Sequence, residues 1–327
     1  MYWFLKCYYG YKNRWDELLF FGVLAWIKKN TNVTHLMIEV GDKWWMSQRC
    51  SRHQNIIQDI WITYELVETS DTYVLPKDSG YFFGGWEVVN DQDTYILPSH
   101  PTIKQRMIWF LSHFFTRSWW NYYISYRNVV RKWQFFLLWG IGKPYKYTTK
   151  FLYKHFLSKA NTIVSRDATS QHIASQYNKN SLLHNDFSNY AIDLFRQKKE
   201  NLPSIIDPDA YILINAQSHA RSEETIAKIL SFVAQHPNKT PIYFPCDYTD
   251  DMKYFTLLQE KIVGLQIYDW TQYSVYETLA LFANASAGIG SRLHFLYPLH
   301  SFGKSYTTTT TKDKVAKLLS PSPIHAV

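Results

Sequence analysis

Residues 211–294 decide the fold. Four short apolar runs occur there: Tyr211-Ile-Leu-Ile-Asn215, Ile242-Tyr-Phe-Pro-Cys246, Leu265-Gln-Ile-Tyr268 and Ala287-Gly-Ile-Gly290. Too short for helices and apolar throughout, they read as strands buried on both faces. The segments between them carry helical spacing. Ser222 is placed to cap a helix in which Ile226, Ile229, Leu230 and Val233 recur on one face, and Pro237 closes it. A second helix runs from about Asp250 to Ile262. A third opens on a capping box, Ser274 with Glu277, and turns Val275, Leu279 and Phe282 inward. Strands alternating with helices of this length imply a parallel sheet covered on both faces.

The N-terminal part alternates less regularly. Trp3 to Tyr8, His35 to Val40, Tyr81-Phe-Phe83, Phe135-Phe-Leu-Leu138 and Asn161-Thr-Ile-Val-Ser165 read as strands, and Asp16 to Lys29 as a helix. The polar stretch Arg196 to Pro208 reads as a linker. The expectation is an α/β protein of two doubly wound, Rossmann-like domains, residues 1–200 and 209–327.

In such sheets ligands bind beyond the carboxyl ends of the strands. The loops that matter are therefore Gly10–Glu17, Gly84–Glu87, Gly140–Pro144, Ser165–Asp167 and Ser291-Arg292-Leu293-His294. Two arginines and a histidine at strand ends suit an anion that undergoes proton transfer. Arginine offers a fork to carboxylate or phosphate, and histidine titrates near neutrality. The plainer alternatives are a structural Arg166–Asp167 salt bridge and a structural His294. Neither a G-x-G-x-x-G fingerprint nor a P-loop is present.

Composition narrows the function classes. With 327 residues, 46% apolar and 19% charged, the chain can bury a substantial core. It has no uninterrupted apolar run long enough to cross a bilayer, and Met1-Tyr-Trp-Phe-Leu-Lys6 is too short an apolar run, without a small-residue cleavage site, for a secretory leader to be expected. Three scattered cysteines, Cys7, Cys50 and Cys246, form neither a disulfide framework nor a zinc knuckle, which fits the cytoplasm. The net charge of +8 suits anionic ligands, lipid headgroups or nucleic acid about equally well. Without an RNP, zinc-finger or helix-turn-helix pattern, nucleic acid is not expected as a partner. One count stands out: 13 Trp against 12 Gly, with all the Trp except Trp270 at or before Trp139.

Tyr8-Tyr-Gly-Tyr-Lys-Asn-Arg-Trp-Asp-Glu17, Phe83-Gly-Gly-Trp-Glu87, Gly140-Ile-Gly-Lys-Pro144, Ile163-Val-Ser-Arg-Asp167 and Gly290-Ser-Arg-Leu-His294 together resemble the serial motifs of the polysaccharide pyruvyl transferase family. The order is preserved along nearly the whole chain, and Arg292-Leu293-His294 is the most specific piece. The resemblance implies a fold like GT-B glycosyltransferases, with phosphoenolpyruvate in an interdomain cleft. It implies transfer of the enolpyruvyl group to a sugar of a cell-surface polysaccharide or its lipid-linked precursor, as a ketal. On the same grounds Arg166 and Arg292 would hold the donor's carboxylate and phosphate, and His294 would be the acid/base residue. Asn13, Asp16, Glu17, Gly84, Gly85 and Gly140 become substrate-binding candidates, and neither a metal nor a cofactor is implied. A nucleotide-sugar glycosyltransferase and a non-catalytic glycan-binding relative are the alternatives.

The sequence departs from the pattern at three tryptophans. Trp15 and Trp86 stand where the family has glycine, and Trp139 sits at the start of the third loop. A tryptophan reaches φ > 0 only at a cost, and its indole fills space where a ligand meets backbone. Either the donor site is damaged, or the gene uses a code in which UGA means glycine. UGG codons at Trp15 and Trp86 exclude the second. Ala216-Gln217 also stands where relatives often place an arginine, and Asp186 lies in Asn-Asp-Phe rather than Asp-Pro. The aromatic and basic stretch from Lys104 to Lys132 reads in two ways. It is a membrane-surface helix at the inner membrane reaching a lipid-linked acceptor, or a partly buried helix with a snorkelling basic face.

Overall fold

The computed structural model describes residues 3–6, 9, 13–68, 79–84, 102–103, 134–139, 154, 157–184, 186–198, 207–217 and 223–309. Gly85, Trp86, Gly140, the Ser222 cap and the Lys104–Lys132 stretch lie outside them.

Two parallel sheets account for the strands. The first contains β1 (Trp3–Lys6), β2 (His35–Val40), β3 (Thr63–Glu68), β4 (Gly80–Gly84), β5 (Gln134–Trp139), β6 (Thr162–Ser165) and β7 (Ser181–Leu183). Its strand order is β3-β2-β1-β4-β5-β6-β7. The second contains β8 (Tyr211–Ile214), β9 (Thr240–Tyr243), β10 (Gln266–Ile267), β11 (Ala287–Gly290) and β12 (Ser305–Thr308), in the order β10-β9-β8-β11-β12. Every pairing is parallel. Each order reverses once, beside β1 and beside β8, which makes both sheets doubly wound and gives each a switch point where ligands bind.

Nine α-helices lie among the described residues: α1 (Arg14–Asn30), α2 (Lys43–Arg52), α3 (Gln54–Ile60), α4 (Ala168–Ser175), α5 (Ser188–Lys198), α6 (Glu223–Ala234), α7 (Tyr248–Gln259), α8 (Val275–Asn284) and α9 (Leu293–Ser301). The capping box at α8 forms as expected: Ser274 Oγ accepts from the Glu277 N–H, and the Glu277 carboxylate accepts from the Ser274 N–H. The strands absent from the sequence reading are β3, β7 and β12. β3 carries Glu65 and Glu68, β7 has only three residues, and β12 is the polar edge strand Ser-Tyr-Thr-Thr.

By contacts the chain forms two compact units that do not follow chain order. One comprises residues 1–8, 33–40 and 63–186, the other 9–32, 41–62 and 187–327. In the first, Phe4, Leu5, Ile38, Phe82 and Ile163 are completely buried. Trp3 stacks on Phe82 at 4.8 Å between centroids and Phe82 on Phe136 at 5.2 Å. In the second, Ile212, Ile214, Tyr243, Leu258 and Ile289 form the core over the sheet. Helices α1, α2 and α3 belong to this unit. α1 packs along α5 so closely that a Cβ on Gly22 would lie 2.0 Å from the Phe187 carbonyl oxygen.

Candidate active site at the strand ends

Beyond the carboxyl ends of β8, β9 and β11 the second unit gathers polar groups that a hydrophobic interior would exclude. Asn215 follows β8, Cys246 and Asp247 follow β9, and Ser291 and Arg292 follow β11. Their hub is Asp251, in the first turn of α7, which is fully buried. Its Oδ2 accepts from Asn215 Nδ2 at 3.2 Å, from the Cys246 N–H at 2.9 Å and from the Asp247 N–H at 3.2 Å. Arg292 donates to the same carboxylate from Nε at 3.0 Å and from Nη2 at 2.6 Å. Burial works to discharge Arg292, yet Cys246, Asp251 and Asp247 hold its pKa above the ordinary arginine value. Two buried oxygens here have no partner among the described residues, Asn215 Oδ1 and Ser291 Oγ.

The start of α1 is laid against this region. Asn13 forms an antiparallel bridge with Asp247, and the Arg14 N–H donates to the Cys246 carbonyl at 3.1 Å. That contact brings in Asp16, which is buried and whose side chain makes no hydrogen bond among the described residues. Burial, then Asp247 and Glu17, push its carboxyl well above the usual range, with Arg292 opposing them. The shift favours the protonated form of Asp16 relative to an ordinary carboxyl. His294 lies in the first turn of α9, two residues from Arg292, and is half-buried.

Glu17 is placed differently from Asp16. Its carboxylate accepts from Arg14 Nη1 at 2.5 Å, from Arg49 Nε at 2.8 Å and Nη2 at 3.2 Å, and from His53 Nε2 at 3.2 Å. The Val275 N–H donates to His53 Nδ1, which fixes the tautomer with the proton on Nε2. Arg14 also donates to the Ser274 carbonyl and Thr278 Oγ1, and Arg49 to the carbonyls of Trp270, Thr271 and Tyr273. Trp270 is fully buried with the two guanidinium carbons 5.5 and 5.4 Å from its ring centroid. One carboxylate thus faces two arginines, and the surplus charge is spread over four carbonyls and an aromatic face. Both Glu17 oxygens are occupied inside the protein. The expectation of Glu17 as a substrate ligand meets a carboxylate that ties α1 and α2 to the segment 270–278.

In the first unit, Ser165 ends β6 with its Oγ buried and without a partner among the described residues. Arg166 follows, its Nε 3.7 Å from Asp167. Asp167 is the N-cap of α4, accepting from the Ser170 N–H at 2.8 Å and from Ser170 Oγ at 2.8 Å. Gly84 is the last residue of β4, paired in register with Leu138. Each sheet thus ends one strand on Ser-Arg with an unmatched serine hydroxyl, Ser165-Arg166 and Ser291-Arg292.

Trp15 lies in the first turn of α1, and among the described residues only Trp61 and Asp209 have positive φ outside glycine. The backbone at position 15 therefore does not demand glycine, which removes the conformational half of the argument made from its sequence position. Asn215, Asp251, Arg14, Arg49 and His53 were not singled out from sequence. The available signals were a polar residue ending the run Tyr-Ile-Leu-Ile and a charged Arg-x-Asp-Glu opening an apolar helix.

A family model for polysaccharide pyruvyl transferases matches residues 16–297, most of the chain. The chain belongs to that family. Membership makes this pyruvyl transferase homologue a transferase acting on a polysaccharide or its precursor sugar. A search of curated proteins gave no significant match. Among solved structures, the UDP-GlcNAc 2-epimerase from Neisseria meningitidis, bound to UDP-GlcNAc, aligns over 96% of this chain and 85% of its own, with 10% identity and a TM-score of 0.53. The UDP-N-acetylglucosamine 2-epimerase from Rickettsia bellii aligns over 94% and 78%, with 10% identity and a TM-score of 0.55. That from Methanocaldococcus jannaschii aligns over 94% and 83%, with 9% identity and a TM-score of 0.51. At such identities these likenesses speak for the fold: two Rossmann-like, GT-B-like domains. Among the described residues no helix is long and apolar enough to cross a membrane.

Proposed function

We propose that this pyruvyl transferase moves the enolpyruvyl group of phosphoenolpyruvate onto a sugar of a cell-surface polysaccharide or its precursor, as a cyclic ketal. The observation that carries the reading is the Ser291-Arg292-Leu293-His294 strand end, with its buried unmatched hydroxyl and its anchored guanidinium, in a chain of this family. Arg292, with Arg166 as the second donor-binding arginine, offsets the donor's carboxylate and phosphate charge. His294 handles protons. Ketal formation begins with a proton added at C3 of the enol, which leaves a cationic C2. One sugar hydroxyl attacks C2, phosphate departs, and a second hydroxyl closes the ring. Of the two hydroxyl protons released, one replaces that delivered to C3 and the other leaves with phosphate. Asp16, Asn13 and the glycines Gly84, Gly85 and Gly140 are further substrate contacts. A lipid-linked acceptor at the inner membrane rests on the stretch from Lys104 to Lys132.

Isothermal titration tests the donor. Phosphoenolpyruvate binding more tightly than UDP-sugars, and weakening on Arg166→Ala or Arg292→Ala, supports the reading. A preference for UDP-sugars replaces it with nucleotide-sugar transfer. Glycan binding without transfer replaces it with a non-catalytic relative. His294→Ala is expected to lower the transfer rate about 10²–10⁴-fold. A loss below about tenfold removes His294 from the acid/base role.

A further inference from the structure

We infer that Asp251 is the positioning residue for Arg292. The inference rests on the reading of Arg292 as a donor-binding residue. Arg292 is the N-cap of α9, with extended backbone (φ −84°, ψ 130°) and no side-chain cap bond. Nothing in its own helix holds the guanidinium, which an unrestrained arginine would sample over many rotamers. Asp251 supplies what the helix does not. It grips Nε and Nη2 side-on, the two-point geometry that fixes a planar guanidinium in direction as well as position. Nη1 makes no bond among the described residues and remains for a ligand.

The grip is rigid because Asp251 is held from behind. Asn215 at the end of β8 and the backbone N–H groups of Cys246 and Asp247 after β9 fix its Oδ2. The direction of Arg292, at the end of β11, is thereby set from the ends of β8, its neighbour in the sheet, and β9, the strand beyond it. Asp250 stands further off, 3.9 Å from Nη2 and substantially exposed, and cannot replace Asp251. The pair also lowers the net charge offered to the donor, so its contribution is orientation rather than attraction. A guanidinium misplaced by about 1 Å costs on the order of 10²-fold in turnover.

The test measures transfer kinetics with phosphoenolpyruvate and acceptor varied separately, for Asp251→Asn, Arg292→Ala and the double variant. Asp251→Asn turns an acceptor into a donor opposite Arg292, and is expected to raise KM for phosphoenolpyruvate about 10–100-fold while the acceptor KM stays within about twofold. In the Arg292→Ala background the same change should add nothing, because its effect passes through Arg292. Asp251→Glu, which keeps the charge but shifts the carboxylate, should recover part of the loss. Losses that multiply in the double variant, or an acceptor KM that rises alongside that of phosphoenolpyruvate, overturn the inference in favour of a general structural role. If Asp251→Asn does not fold, Asp251→Glu carries the same criteria, and its indifference in KM overturns the inference. Unchanged KM for phosphoenolpyruvate in Arg292→Ala removes Arg292 as the donor residue and the inference with it. Loss in Arg292→Ala without loss in Asp251→Asn removes the inference alone.

Discussion

Asp16 and Glu17 are adjacent in sequence and shifted in opposite directions, because their buried surroundings differ. Burial, then Asp247 and Glu17, push the Asp16 carboxyl up, whereas burial of Glu17 is overcome by Arg14, His53 and Arg49, which hold it well below the usual carboxylate range. Glu17→Gln leaves two buried arginines facing a neutral amide. A cost of about 3–5 kcal/mol is expected in urea unfolding, the scale for breaking a buried ion pair from one side. A cost below about 1 kcal/mol would make the cluster incidental. His53 gives a pH signature. Burial first, then the two arginines, push it down to about 4 against the pull of Glu17. Between about pH 6.5 and 4 the unfolded chain binds a proton at this histidine that the folded chain does not. Stability should therefore fall as pH drops through that window, by up to about 3 kcal/mol. His53→Gln should flatten that part of a stability–pH profile, and an unchanged slope would assign it to other groups.

At the level of elements, helix ends show what local sequence can and cannot specify. The capping box of α8 was legible because its two residues lie three apart and satisfy each other. The end of α3 was not. Trp61 closes it in the left-handed conformation (φ 57°, ψ 39°) with 79% of its surface exposed. Glycine takes the left-handed conformation after α7 and α9, at Gly264 and Gly303. A left-handed non-glycine residue costs roughly 1–2 kcal/mol, and Trp61 gains little packing in return. Trp61→Gly is therefore expected to stabilise the protein by about 1 kcal/mol in urea unfolding, and Trp61→Ala not at all. Equal effects from the two would point to the indole rather than the backbone. It is also the change that reading UGA as glycine would make, at a position outside the family motifs. The opposite holds at Gly22, where Gly22→Ala forces a methyl into the Phe187 carbonyl and should cost about 1–3 kcal/mol.

For the molecule as a whole, the alternating periodicities were enough to read two doubly wound sheets, because each core strand is a local apolar run. Arg166, and Arg292 with His294, could be singled out as candidates because each strand end carries its own local signal. Asp251, Arg49 and His53 acquire their roles from partners far along the chain, which spacing does not encode. Arg49 meets Tyr273 across 224 positions and Arg14 meets Thr278 across 264. The second compact unit thus borrows residues 9–32 and 41–62. A fragment of residues 201–327 lacks the arginines that satisfy the carbonyls of segment 270–274, and is expected to show no cooperative unfolding by circular dichroism. A sharp transition would show that the C-terminal sheet stands alone.

The Glu17 cluster also sets a timetable. Its N-terminal half leaves the ribosome first, but the carbonyls and the indole that complete it are more than 200 positions later. At about 5–20 residues per second, the two arginines of α1 and α2 wait on the order of ten seconds or more for these partners. Segments made early are thus completed only by partners made more than 200 positions later.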